Sequence, residues 1–94
     1  MARRSKLEIY FEILDAIDRG TDKPTRIMYK TNLSWIMLHQ IFDVLMNGGF
    51  INEENSKNSK KYYITDKGRR ALSYHRRSLE GLVENREIGQ RLTV

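Results

Sequence analysis

Apolar residues recur at Leu7, Tyr10, Ile13, Leu14 and Ile17, the spacing of one face of a 3.6-residue helix. Ser5 and Glu8 form a capping box at its start: the Ser5 hydroxyl accepts from an amide three residues on, and Glu8 reaches back. Gly20 stops it, so the pattern predicts a helix over residues 6–19. Pro24, the only proline, suits the first turn of a second helix, with Asp22 or Lys23 as cap. Ile27 and Met28 give that helix its buried side, and Thr31-Asn32 ends it, because asparagine tolerates left-handed dihedrals. Ser34 then caps a third helix, whose inward stripe is Leu38, Ile41, Phe42 and Leu45 and whose end is Gly48-Gly49.

The helical period stops there. Phe50 and Ile51 open a short strand, and the polar run NEENSKNSK (52–60), with no core former, reads as a hairpin loop. Lys61-Tyr62-Tyr63-Ile64 is the returning strand, with Tyr62 and Ile64 inward. Thr65 caps a last helix over 66–88 with Asp66 at its positive end, and Leu72, Leu79, Leu82 and Val83 carry it towards Gly89. Residues 90–94 are expected to fray. No repeat or linker interrupts the pattern, so residues 1–94 read as one domain, with a core over 5–65 and a long C-terminal helix. The fold class is α+β, mainly α. Helices two and three, joined by a tight polar turn, make a helix-turn-helix, and the hairpin beside them makes a wing.

Composition narrows the function. Without cysteine there is no disulfide framework and no thiolate metal site, and no apolar run is long enough to span a membrane. Arg3 and Arg4 lead into an acidic amphipathic segment rather than a signal peptide, which implies a soluble, cytoplasmic protein. His39 and His75 lack ligand spacing, and Gly48-Gly49 lacks the Gly-Lys-Ser/Thr ending of a phosphate loop. Glu53 and Glu54 sit in a polar hairpin where nothing would raise a pKa. We therefore expect no catalysis, no metal and no cofactor. The overall charge is +5, yet residues 57–77 alone hold eight Lys or Arg against Asp66, a net of +7, and the rest of the chain sums to −2. Such a segment suits a polyanion, or a solvated charged face.

Two stretches carry a family resemblance. Thr25-Arg26-Ile27-Met28-Tyr29-Lys30 followed by Asn32-Leu33-Ser34, together with Tyr62-Tyr63-Ile64-Thr65-Asp66-Lys67-Gly68, resembles the small archaeal winged-helix DNA-binding proteins. The likeness is greatest to their dimeric chromatin-type branch and runs from about Lys6 to the late 80s. It implies a non-enzymatic protein that binds double-stranded DNA, as a transcriptional regulator or a nucleoid-associated architectural protein. It also implies a homodimer through an antiparallel coiled coil of the last helix.

Candidate contacts follow from placement. Arg26 and Lys30 on the second helix, and Lys57, Lys60 and Lys61 in the wing, suit phosphate. Ser34 lies at a helix N-terminus, and Trp35, His39 and Gln40 lie on the outward side of the third helix, where Gln40 suits adenine. Asp43 opposes phosphate, which limits groove entry to the first two turns. Trp35, Ile36 and Met37 make that front apolar, suiting thymine methyl groups or a protein partner. A protein-interaction module without DNA binding is thus the alternative. Arg3 and Arg4 form an arm that reaches DNA, or a free tail. The dimer seam would comprise Leu72, His75, Leu79, Leu82 and Val83. Arg69, Arg70, Arg76 and Arg77 in one half, opposite Glu80, Glu84 and Glu87 in the other, favour the antiparallel direction.

Overall fold

The computed structural model describes residues 4–93 and the side chains of residues 4–79. The chain forms α1 (Lys6–Asp18), α2 (Pro24–Thr31), α3 (Trp35–Asn47), β1 (Ile51–Ser56), β2 (Ser59–Ile64) and α4 (Asp66–Thr93). Local chemistry explains the boundaries. The Ser5 hydroxyl accepts from the Glu8 amide at 3.1 Å and that of Ser34 from the Met37 amide at 3.2 Å, each relieving one orphan donor of a first turn. Lys23 is the cap residue before Pro24, without a side-chain bond. Asn32 closes α2 in the left-handed region at φ 55°, and Gly49 follows α3 at φ +77°.

The core gathers Ile13, Leu14 and Ile17 of α1, Ile27 of α2, Leu38, Phe42 and Leu45 of α3, Ile51 and Tyr62 of the hairpin and Leu72 of α4. Phe42 and Tyr62 stack at 4.0 Å between centroids, which fixes the base of the wing against α3. The Tyr62 hydroxyl donates to Glu53, its cross-strand partner, at 2.9 Å. Burial, and then the adjoining Glu53 carboxylate, push the Tyr62 phenol well above its usual range.

Residues 62–68 form a joint. Thr65 donates its hydroxyl hydrogen to Gly49 O at 2.6 Å and accepts from the Gly68 amide at 3.0 Å, so one side chain serves the end of α3 and the start of α4. Lys67 donates to Gly48 O at 2.6 Å and lies 4.7 Å from the centre of the Phe50 ring. A Cβ on Gly68 would fall 2.2 Å from Phe50 O, so only glycine permits this approach. The Thr-x-Lys-Gly run is therefore a mechanical element that ties α4 to α3 and β1.

Four expectations change. Leu7 is 60 % exposed, because Ile9, Ile13, Ala16 and Ile17 centre the buried face of α1 and leave Leu7 at its margin. The polar run 52–60 is mostly strand: Ser56 pairs with Ser59, and only Lys57-Asn58 turns. Both faces of the outer wing meet solvent, so no apolar alternation marks it. α4 continues through residues 90–93, past Gly89 and the expected frayed end. Arg4 is neither a free arm nor a free tail, since its guanidinium pairs with Glu12 and donates to Thr31 O at 2.7 Å, clasping α1 to the end of α2. Arg3 lies outside the described residues.

Candidate nucleic-acid interface

The packing of α3 decides what it presents. Leu38, Ile41, Phe42 and Leu45 are buried on one side. Helical geometry then sets Ile36, Gln40, Asp43 and Asn47 along the middle of the opposite side, and all four are exposed. Ile36 is 73 % exposed, a high value for isoleucine. Met37 and Val44 flank this row on one side and Trp35 and His39 on the other. The Trp35 ring stands edge-on to His39, 4.4 Å between centroids, and His39 stands edge-on to Phe42. This aromatic row steadies Trp35 while leaving nearly half of it in solvent. The His39 Nε2 atom is buried without a hydrogen-bond partner among the described residues.

Beside α3, the first turn of α2 contains no acidic residue, and neither does that of α3, so both positive helix ends are uncompensated. Lys23, Arg26 and Lys30 are exposed, and among the described residues none of them makes an ion pair. Tyr29 is 79 % exposed and lies on the same helix, outside the core. Ser34 is exposed but already occupied as the α3 cap.

The wing carries less net charge than its lysines suggest. Antiparallel pairing sets Glu54 opposite Lys61, and the Lys60 ammonium lies 3.8 Å from Glu53. Lys57 at the tip has no such neighbour among the described residues. Two arginines of the remaining basic segment are also engaged. Arg76 pairs with Asp15 and approaches Asp18 at 3.6 Å, while Arg69 lies 3.8 Å from Asp18 and 3.7 Å from Asp66. Burial alone would raise the Asp15 carboxyl, but hydrogen bonds from Arg76 and Arg19 outweigh it and hold the group below its usual range. Of the eight cations along residues 57–77, Lys60, Arg69 and Arg76 are thus answered by carboxylates and Lys61 faces one, while Lys57, Lys67, Arg70 and Arg77 make no ion pair among the described residues. Sequence summation missed this because the Arg76–Asp15 partners stand 61 residues apart.

α4 meets α1 through Leu72, which is buried, and through His75, whose ring stacks on Phe11 at 3.8 Å. Leu72 thereby serves the core of the winged helix, whereas Leu79 is 49 % exposed. The side chains of Leu82 and Val83 lie outside the described residues. Among the described residues, no group of His, Cys, Asp or Glu is placed to hold a metal ion, and no helix is long and apolar enough to cross a membrane.

Residues 3–83 match the family model described as winged helix-turn-helix. The chain is a winged helix-turn-helix protein. It is 39 % identical over 71 residues to an uncharacterised protein of Methanocaldococcus jannaschii, spanning 76 % of this chain and 69 % of that one. A second M. jannaschii protein, also uncharacterised, is 36 % identical over 66 residues, and the chain spans 29 % of its length. Among solved structures, the winged helix is similar to Sso10a-2, a DNA-binding protein from Sulfolobus solfataricus, with a TM-score of 0.68 and 26 % identity over 95 % of this chain and 96 % of that one. The transcriptional regulator BldR from the same organism shares the fold, with a TM-score of 0.72 and 20 % identity over 82 % of this chain and 58 % of BldR. These relatives agree with the small archaeal winged-helix proteins to which residues 25–34 and 62–68 point.

Proposed function

We propose that the protein binds double-stranded DNA as a transcriptional regulator or a chromatin-type architectural protein, without catalytic activity. In this reading, α3 enters the major groove with its first two turns, while Arg26, Lys30 and the wing tip hold phosphates on either side. One observation carries it: in a winged helix, the helix-turn-helix face keeps its cations unpaired while the cations of the α1–α4 seam are paired. The relationship to Sso10a-2, a DNA-binding protein, supports the same partner. Lys57 contributes at the wing tip, with Lys60 and Lys61 weakened by Glu53 and Glu54. Ser34, Trp35, His39 and Gln40 lie at or beside the groove-facing turns. An uncharged α3 front leaves phosphate contact to its neighbours.

We further propose a homodimer through α4, with the two copies antiparallel. The 28-residue helix spans about 42 Å, far more than the 13-residue α1 on which it rests. Leu79 opens the seam, which continues through Leu82 and Val83. Leu72 and His75 support it from inside the protomer. The exposed Arg70 and Arg77 would face the Glu80–Glu87 half of the other copy. In this arrangement residues 1–94 act as one domain, the winged helix of 5–65 being carried on its dimerisation helix.

The experiment is a gel-shift titration of a random-sequence duplex over several salt concentrations. Neutralising four phosphates per protomer through Lys23, Arg26, Lys30 and Lys57 predicts a log–log slope of about −4. Salt-insensitive binding, or capture of a protein partner with no retention on duplex DNA, would overturn the reading. Sedimentation equilibrium should give twice the chain mass for the wild type and one chain mass for Leu79→Lys with Leu82→Lys. A wild-type mass of one chain would remove the dimer.

A further inference from the structure

The middle of the exposed α3 face holds a branched hydrocarbon and a carboxamide, Ile36 and Gln40, one turn apart, with Met37 and Trp35 on its flanks. α3 carries no lysine or arginine at all. Guanine is read in the major groove chiefly by the bidentate fork of an arginine or by a lysine, both donating to O6 and N7. That donor set is missing here. What is present matches the other base pair. A carboxamide both donates and accepts, as adenine N7 and N6 require, and an exposed aliphatic side chain covers the C5-methyl of thymine. Asp43, one turn further on, is an acceptor that would suit cytosine N4, but it lies beyond the first two turns to which its charge limits groove entry.

An exposed apolar row could also cover a protein. Charge complementarity argues for DNA: α2, joined to α3 by the three-residue turn 32–34, carries the unpaired cations Arg26 and Lys30, and neither helix has an acidic residue in its first turn. These cations would meet phosphate when α3 lies in a groove. We infer that α3 reads A·T base pairs in the major groove, with Ile36 covering a thymine methyl and Gln40 pairing with adenine. The inference rests on the proposed DNA binding and adds a base preference carried by contacts distinct from those that hold phosphate.

The two sets of contacts can be separated by single-atom changes in the DNA. Replacing thymine by deoxyuridine throughout an A·T-rich duplex removes only the C5-methyl. Burial of one carbon contributes about a fourfold change in affinity, so each methyl covered by Ile36 should weaken deoxyuridine binding by about fourfold. 5-Methylcytosine in a G·C-rich duplex places a methyl at the same groove position and should strengthen binding. Ile36→Ala should bind the two A·T-rich duplexes alike, at the affinity the wild type shows for the deoxyuridine form. Ile36 is exposed, so this variant keeps the fold, and far-ultraviolet circular dichroism checks that it has. Gln40→Ala should reduce the preference for A·T over G·C by about tenfold, within the range of one bidentate contact.

Equal wild-type affinity for thymine and deoxyuridine duplexes, with the salt dependence intact, would overturn the base reading and leave DNA binding standing. An Ile36→Ala variant that keeps the full wild-type discrimination would overturn it equally. An α3 front used for a protein partner would give that result. Failure to bind any duplex at low salt would overturn both proposals together.

Discussion

The α1–α4 seam and the α2–α3 face hold the same kinds of side chain in opposite states. On the seam, Arg69 and Arg76 are met by Asp15, Asp18 and Asp66, and Leu72 is buried. On the other face, Arg26 and Lys30 are exposed with no ion-pair partner among the described residues, and Ile36 is largely exposed. A paired arginine attracts a polyanion weakly, because its field is cancelled within a few ångströms. An unpaired one retains its field and has counterions to release. Where a cation sits in the fold therefore matters more than how many adjoin it in sequence.

The difference can be broken at several points. Leu72→Ala should cost about 3 kcal/mol of unfolding free energy, while Ile36→Ala should change it by less than about 0.5 kcal/mol, both followed by urea denaturation. A large loss at Ile36 would mean that α3 is packed against something. Gly68→Ala forces a Cβ against Phe50 O and should cost about 2 kcal/mol, the α3–α4 joint having to shift. Near-wild-type stability there would show that the joint has slack.

Arg76→Ala should cost about 1 kcal/mol or less, since its ion pairs are partly exposed, and should leave the salt dependence of DNA binding unchanged. Asp15 gives the smallest effect. Its folded pKa is depressed, so its contribution to stability is present above the unfolded value of about 3.9 and is lost as pH falls through the lower folded value. Solvent screening holds that contribution to about 0.5 kcal/mol. Asp15→Asn should remove this part of the acid-induced loss in an acid titration of stability, and an unchanged acid limb would show the pairing to be without effect.

Local chemistry was legible in the chain. Ser5, Ser34 and Thr65 cap the helices they precede, Pro24 begins α2 and Asn32 ends it, because each acts within a few residues of itself. Long-range pairing was not. No local pattern couples Arg76 to Asp15, or Arg4 to Thr31, and these contacts decide which cations are free. The hairpin was half legible: Tyr62 marked its buried base, but the outer strands, wet on both faces, carry no apolar period. For the candidate site, helical spacing put Gln40 and Asp43 outward, but it also put His39 there, which packs half-buried on Phe42, and the weakening of Lys60 and Lys61 depends on strand register.

The central claim is that α2 cations engage phosphate and seam cations do not. It is tested most directly by comparing the salt slopes of two double variants on one random duplex. Arg26→Ala with Lys30→Ala should make the log–log slope shallower by about 2, one phosphate contact being lost for each cation. Arg69→Ala with Arg76→Ala should leave the slope at the wild-type value. A slope that falls for the seam pair and stays constant for the α2 pair would contradict the account.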